Sequence, residues 1–90
     1  MKIEFDPNKS LKNEKERGLP FTKMVKFDWT TALIWQDLRF NYPEPRYIAL
    51  GLIDDRVHMA CVTPIEQGVR VISFRKANKR EVKRYVESRK

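Results

Sequence analysis

Ninety residues are too few for two independently folded parts, so a single domain spanning residues 1–90 is expected. Hydrophobic residues at 41% and aromatic residues at 11% exclude a disordered chain, and no apolar run reaches membrane-spanning length or the core of a secretory signal; a cytoplasmic protein without a membrane partner is expected. The formal charge of +7 is localised, since residues 1–69 balance ten Lys and Arg against ten Asp and Glu whereas residues 70–90 carry nine against two, a footprint suited to a polyanion.

Asp6 as N-cap, Pro7 at the first helical position and Gly18 as a left-handed stop predict a helix over residues 7–17. Only Leu11 in it is apolar, so the helix lies over the surface or lines a site. After Pro20, Phe21, Met24 and Val25 recur at helical spacing and predict a second, short helical segment ending near Asp28, with all three side chains in the core. From Thr30 the period changes. Strands are predicted over residues 32–36, 46–53, 56–63 and 69–75, with breaks at 41–45 and 64–68 and a tight hairpin at Asp54-Asp55. Connections this short exclude parallel crossovers, which predicts a largely antiparallel meander of about four strands. Asn78 followed three residues on by Glu81 has the form of a capping box, and Val82, Tyr85 and Val86 form an apolar stripe, predicting one C-terminal helix of about three turns.

Helical segments at both ends of such a run define an α+β domain, with the helices expected on one sheet face and the other face free for a ligand. Alternation in the last strand sends Ile72 and Phe74 to the core and Ser73 and Arg75 to the free face, where removing Arg75 should open no cavity. The single cysteine, Cys61, sits in the apolar run Met59-Ala60-Cys61-Val62 and reads as a buried strand residue. The single histidine, His58, reads as a tucked-in structural side chain. Neither has a partner at metal-ligand spacing, so no metal and no cofactor is expected.

Several runs together carry a resemblance: Phe5-Asp6-Pro7-Asn8-Lys9 with Asn13 and Gly18; Asp37-Leu38-Arg39 with Tyr42, Glu44 and Arg46; Gly51, Arg56 and Thr63; and Arg70-Val71-Ile72-Ser73-Phe74-Arg75-Lys76-Ala77 with Glu81 and Tyr85. In this order they resemble the BrnT toxins across nearly the whole chain. The resemblance implies a RelE-like fold, ribonuclease activity, and a BrnA-like antitoxin as protein partner, with operator DNA met only through that antitoxin. The chain departs from the family pattern at Glu16 and Arg17, at Pro43, at Val62 and at Ile65, the last removing a basic residue expected in the site region.

A metal-free ribonuclease needs a base for the ribose 2′-hydroxyl, a cation beside the anionic phosphorus and an acid for the departing 5′-oxygen. With one histidine, a His-pair mechanism is excluded. Arg46 and Arg75 are the candidates for phosphate stabilisation, since a guanidinium takes two phosphate oxygens and stays charged. Glu44 is either the base or the ion-pair partner that orients Arg46. Tyr85 is the acid by its place in the family pattern, while its spacing from Val82 is that of a core or rim aromatic. Lys9, Arg17, Arg56, Lys76, Lys79 and Arg80 are candidate contacts to the RNA backbone, and Tyr42 a candidate for base stacking; singly, each such charge is more often a solvated surface group. Two other classes fit the basic end alone: a non-catalytic nucleic-acid-binding module, and a protein-interaction domain that docks an acidic partner.

Overall fold

A computed structural model describes every residue from Met1 to Lys90. Strand β1 (Lys2–Phe5) leads into helix α1 (Pro7–Arg17), a 3-10 segment (Phe21–Lys26), strands β2 (Leu33–Gln36), β3 (Tyr47–Ile53), β4 (Arg56–Ile65) and β5 (Gly68–Lys76), and helix α2 (Lys79–Ser88).

The ends of α1 form as its sequence dictates. Asp6 accepts a hydrogen bond from the Asn8 amide at 2.9 Å, Pro7 occupies the first turn, and Gly18 at φ 68° turns the chain out. The helix buries only Ser10, whose hydroxyl accepts from the Phe21 amide at 2.8 Å. Asn13 donates to the carbonyls of Leu19 at 2.7 Å and Phe74 at 2.9 Å. A polar helix is thus fastened beside β5 by side-chain to backbone bonds rather than by apolar burial. In the 3-10 segment, Phe21 and Met24 are buried as expected, but Val25 is 78% exposed. The reason is the period: a 3-10 helix repeats every three residues, so Phe21, Met24 and Phe27 share the buried side and Val25 turns outward.

The sheet has five strands in the order β1-β5-β4-β3-β2 and is mixed. Strands β2 to β5 form the expected antiparallel meander, and β1 adds a parallel edge by pairing Lys2 with Gly68 and Phe5 with Val71. The expectation of about four antiparallel strands considered only neighbours in sequence; β1 reaches β5 through almost the whole chain. Gly68 makes the approach possible, because a Cβ there would lie 1.9 Å from the Lys2 carbonyl oxygen. Strand β4 runs on through Pro64 to Ile65, where a break was expected, and Gln67 at φ 65° then supplies the left-handed turn residue.

The helical segments do not share one face. Leu19, Phe21, Met24 and Phe27 pack with Ala49, Ala60, Val62, Val71 and Phe74 on one side, while Ala77 and Tyr85 pack with Ile48, Leu50, Val57, Met59 and Cys61 on the other. Helix α2 therefore covers part of the face expected to be free. Ala77 starts this turn by donating to the Val57 carbonyl at 3.0 Å, which folds the Val82/Tyr85 stripe onto the sheet. The apolar runs of β3 and β4, buried almost end to end, are the signature of strands covered on both sides.

A bulge in β5 corrects a second expectation. Cys61 pairs with Ser73 and Val62 with Val71, so Ile72 is left over. Val71 and Phe74 consequently share one core although three residues apart, and Ile72 packs against the opposite one. Ser73 and Arg75 do face away from Phe74, opposite Cys61 and Met59.

His58 is buried, with Nδ1 2.9 Å from the Arg56 carbonyl and its ring 5.6 Å from that of Phe74. Burial lowers its pKa below the ordinary 6.5. A histidine depressed in the folded state contributes stability that is present above the unfolded value and lost as pH falls through it. The melting temperature is expected to drop between pH 7 and pH 5, and His58→Gln to flatten that part of the profile. An unchanged slope in the variant would show that other groups carry it.

Candidate functional site

The Asp37 amide donates to the Arg46 carbonyl at 2.8 Å, extending the pairing of β2 with β3 and fixing both ends of the loop between them. Asp37 is 4% exposed, and its carboxylate accepts from Arg39 Nε and Nη2, both at 2.9 Å, from the Arg39 amide at 3.2 Å and from the Tyr42 hydroxyl at 3.0 Å. The Arg39 guanidinium holds this carboxyl far below the usual carboxylate range. Burial, then the bond to Asp37, raises the Tyr42 hydroxyl. Arg46 lies 4.3 Å above the Tyr42 ring, with Nη2 3.5 Å from Glu44 and Nε buried without a partner.

Between this corner and α2 lies a cleft of about 670 Å³, walled by Arg39, Arg75, Arg80 and Arg84 and floored by Trp35, Ile48 and Met59. Arg75 makes a bidentate pair with Glu81, Nη1 to Oε1 at 2.8 Å and Nη2 to Oε2 at 3.0 Å. Glu81 also closes the predicted capping box, accepting from the Asn78 amide at 3.0 Å while Asn78 Oδ1 accepts from the Glu81 amide at 2.9 Å. Burial alone would push the Glu81 carboxyl up; the bonds from Arg75 and Asn78 outweigh it and the net shift is downward. Arg84 covers the Trp35 ring at 3.9 Å.

A second groove of about 270 Å³ runs between α1 and β5, with Lys9, Lys12 and Arg17 above Ile72 and Ser73. It shares Met59 and Arg75 with the cleft, so the two form one basic track that passes Arg75. Of the residues singled out from sequence, Lys9, Arg17, Arg75 and Arg80 meet along this track. Tyr42, Glu44 and Arg46 line a neighbouring depression of about 250 Å³ that shares Asp37 and Leu38 with the cleft. Arg56 and Lys76 lie apart, in a depression of about 300 Å³ that also touches Arg17. Lys79 is exposed on the first turn of α2. Tyr85 is 6% exposed with its hydroxyl 3.2 Å from Thr31 Oγ1, inside the core beneath α2.

Sequence reasoning passed over Arg39, Arg84, Lys12 and the pinning role of Asp37 and Glu81. Two signals were there to read: an Asp-x-Arg step directly after an apolar strand, and arginines four apart at 80 and 84, which share one side of a helix. No three His, Cys, Asp or Glu side chains gather as a metal would require.

The site is a sheet face walled by guanidinium groups, with Asp37 pinning Arg39 and Glu81 pinning Arg75, and it concentrates positive charge. The chain belongs to the BrnT family: the family model, described as ribonuclease toxin, BrnT, of type II toxin-antitoxin system, matches residues 5–81. Neither a curated protein nor a solved structure matches it. No helix is long and apolar enough to cross a membrane.

Proposed function

We propose that this toxin is a metal-independent endoribonuclease that cleaves RNA, arrests translation and growth, and is neutralised by a BrnA-like antitoxin through which any contact with operator DNA is made. The observation that carries the reading is the continuous basic track through Arg75. The RNA backbone lies along Lys9, Arg17, Arg75 and Arg80, phosphates replacing the solvent around each cation. At the scissile phosphate, Arg75 and Arg46 bind the non-bridging oxygens and stabilise the charge that grows there. Glu44, 3.5 Å from Arg46 and with 37% of its side chain exposed, takes the 2′-hydroxyl proton. The O2′–P bond forms, the P–O5′ bond breaks, and the 5′-oxygen takes a proton from water. Tyr85 is left out of this scheme because its hydroxyl is engaged at Thr31 inside the core. In this reading the positive charge at the phosphate comes from the chain's own guanidinium groups, and cleavage in chelator tests the independence from metal.

The reading is tested by expressing the chain alone and with its antitoxin while following growth and RNA integrity, and by cleavage with the purified chain in chelator. Growth arrest with intact RNA would overturn it. Affinity for single-stranded RNA is expected to fall steeply with salt, by about 0.7 in the log-log slope for each phosphate neutralised. Arg80→Ala should weaken binding and reduce that slope by about one contact while leaving the chemical step unchanged. A flat salt response would assign the track to a different ligand.

A further inference from the structure

The two edges of the sheet are protected unequally. Edge β1 carries Lys2 and Glu4, and Glu4 accepts two hydrogen bonds from Arg70, so charge guards it. Edge β2 reads Leu33-Ile34-Trp35-Gln36, without a charge or a proline, and its outer side pairs with nothing. On this strand and just after it, Ile34 is 46%, Leu38 77% and Phe40 69% exposed, apolar side chains that neither core uses. Ile34 pairs with Ala49, which belongs to the core beneath the 3-10 segment, whereas Leu38 stands at the rim of the arginine cleft. The apolar surface therefore wraps around the strand edge from one sheet face to the other.

We propose that β2 with Ile34, Leu38 and Phe40 is the seat of the antitoxin, which adds an extended segment to this edge and directs acidic side chains at Arg39, Arg80 and Arg84. Unpaired backbone groups of an edge strand give such a segment its affinity, and the flanking apolar side chains give it register. Charge selects the occupant. A second copy of a chain bearing +7 would bring like fields together at the arginines, whereas an acidic segment discharges them. RNA fits the edge poorly, because a strand without a charge offers a phosphate nothing and, of the three exposed apolar side chains, only Phe40 has a ring for a base to stack on. Seated there, the segment overhangs the cleft at Leu38, so binding and inhibition are one event. The proposal rests on the reading of the chain as a toxin held by a protein antitoxin, and not on the cleavage chemistry.

The test uses the full chain and its cognate antitoxin, purified together and apart. In the complex, the outward-facing amides of Leu33–Gln36 should exchange hydrogen far more slowly than in the free toxin. The substitution Ile34→Asp, on the strand itself and away from the cleft and from the depression of Glu44 and Arg46, should weaken antitoxin binding by about a hundredfold, the scale of a lost interface centre, and leave RNA cleavage near the wild-type rate. Unchanged affinity together with unprotected β2 amides would overturn the proposal. So would a free toxin that sediments as a dimer dissociated by Ile34→Asp, which makes the edge a self-interface, or a folded variant that no longer binds RNA, which makes it part of the RNA path. Should the variant not fold, exchange in the unmodified complex decides alone. Should the chain prove unable to cleave RNA, the binding and exchange measurements still stand.

Discussion

Arg75→Ala is expected to slow RNA cleavage by about a hundredfold to a thousandfold, the usual cost of losing one preorganised donor at a developing oxyanion. Its position explains the size. Arg75 stands where the cleft beside α2 meets the groove beside α1, and Glu81 fixes its guanidinium through two bonds. Strand alternation alone makes this residue expendable for stability; the pair with Glu81 makes it a fastening of α2 as well. Removing it strands a carboxylate whose side chain is only 19% exposed, and a hydrogen bond to a charged group is worth about 1.5–3 kcal/mol. Rate and stability are therefore measured together, by single-turnover cleavage and by thermal melts. Arg75→Lys should restore much of the charge but not the fork, and so recover binding better than rate. Cleavage at the wild-type rate by folded Arg75→Ala would move the active site elsewhere.

Phe74→Ala should destabilise the fold by about 3–5 kcal/mol, a large share of the about 5–15 kcal/mol that holds a small domain together. Phe74 is 1% exposed and lies where the elements of its core converge, with the Phe21 ring edge-on at 6.2 Å and the His58 ring at 5.6 Å. Two of its neighbours are tethered, Phe21 at its backbone amide by Ser10 and the His58 ring by the Arg56 carbonyl. Urea denaturation would show a lower midpoint at a similar slope. Val25→Ala, at a residue 78% exposed, serves as the control and should change stability by less than about 0.5 kcal/mol. A loss below about 1 kcal/mol at Phe74 would mean that the core relaxes far more than its packing suggests.

Local grammar was legible in the sequence. The Asp6 cap and Gly18 stop, the Asp54-Asp55 turn with Asp54 at φ 54°, and the Asn78/Glu81 box are interactions between residues a few positions apart, and their side chains carry them openly. What escaped was non-local. Four residues of β1 show no usable period, and their partner lies in β5. The bulge at Ile72 reversed the facing of one residue in a strand where a strict period of two was the only guide. At the site, arginines were legible as cations but their holders were not: Glu81 read only as a helix cap, and Asp37 had no apparent role until Arg39 and Tyr42 closed on it. A carboxylate that pins a guanidinium looks, in a sequence, like any other surface charge.

The pairing of β1 with β5 also dictates when a newly made molecule becomes dangerous. Glu4 and Arg70, joined across the two strands, are 66 residues apart, and contacts of that span are closed late because chain entropy is lost before any bonding is gained. A ribosome that synthesises this chain releases β1 first and must hold it unpaired until β5 follows. Arg80 and Arg84 come later still, so the emerging polypeptide carries no assembled track until its last helix has been made. Leu33–Gln36 leaves the ribosome well ahead of those arginines, and a partner waiting for that strand gains a head start on the poison.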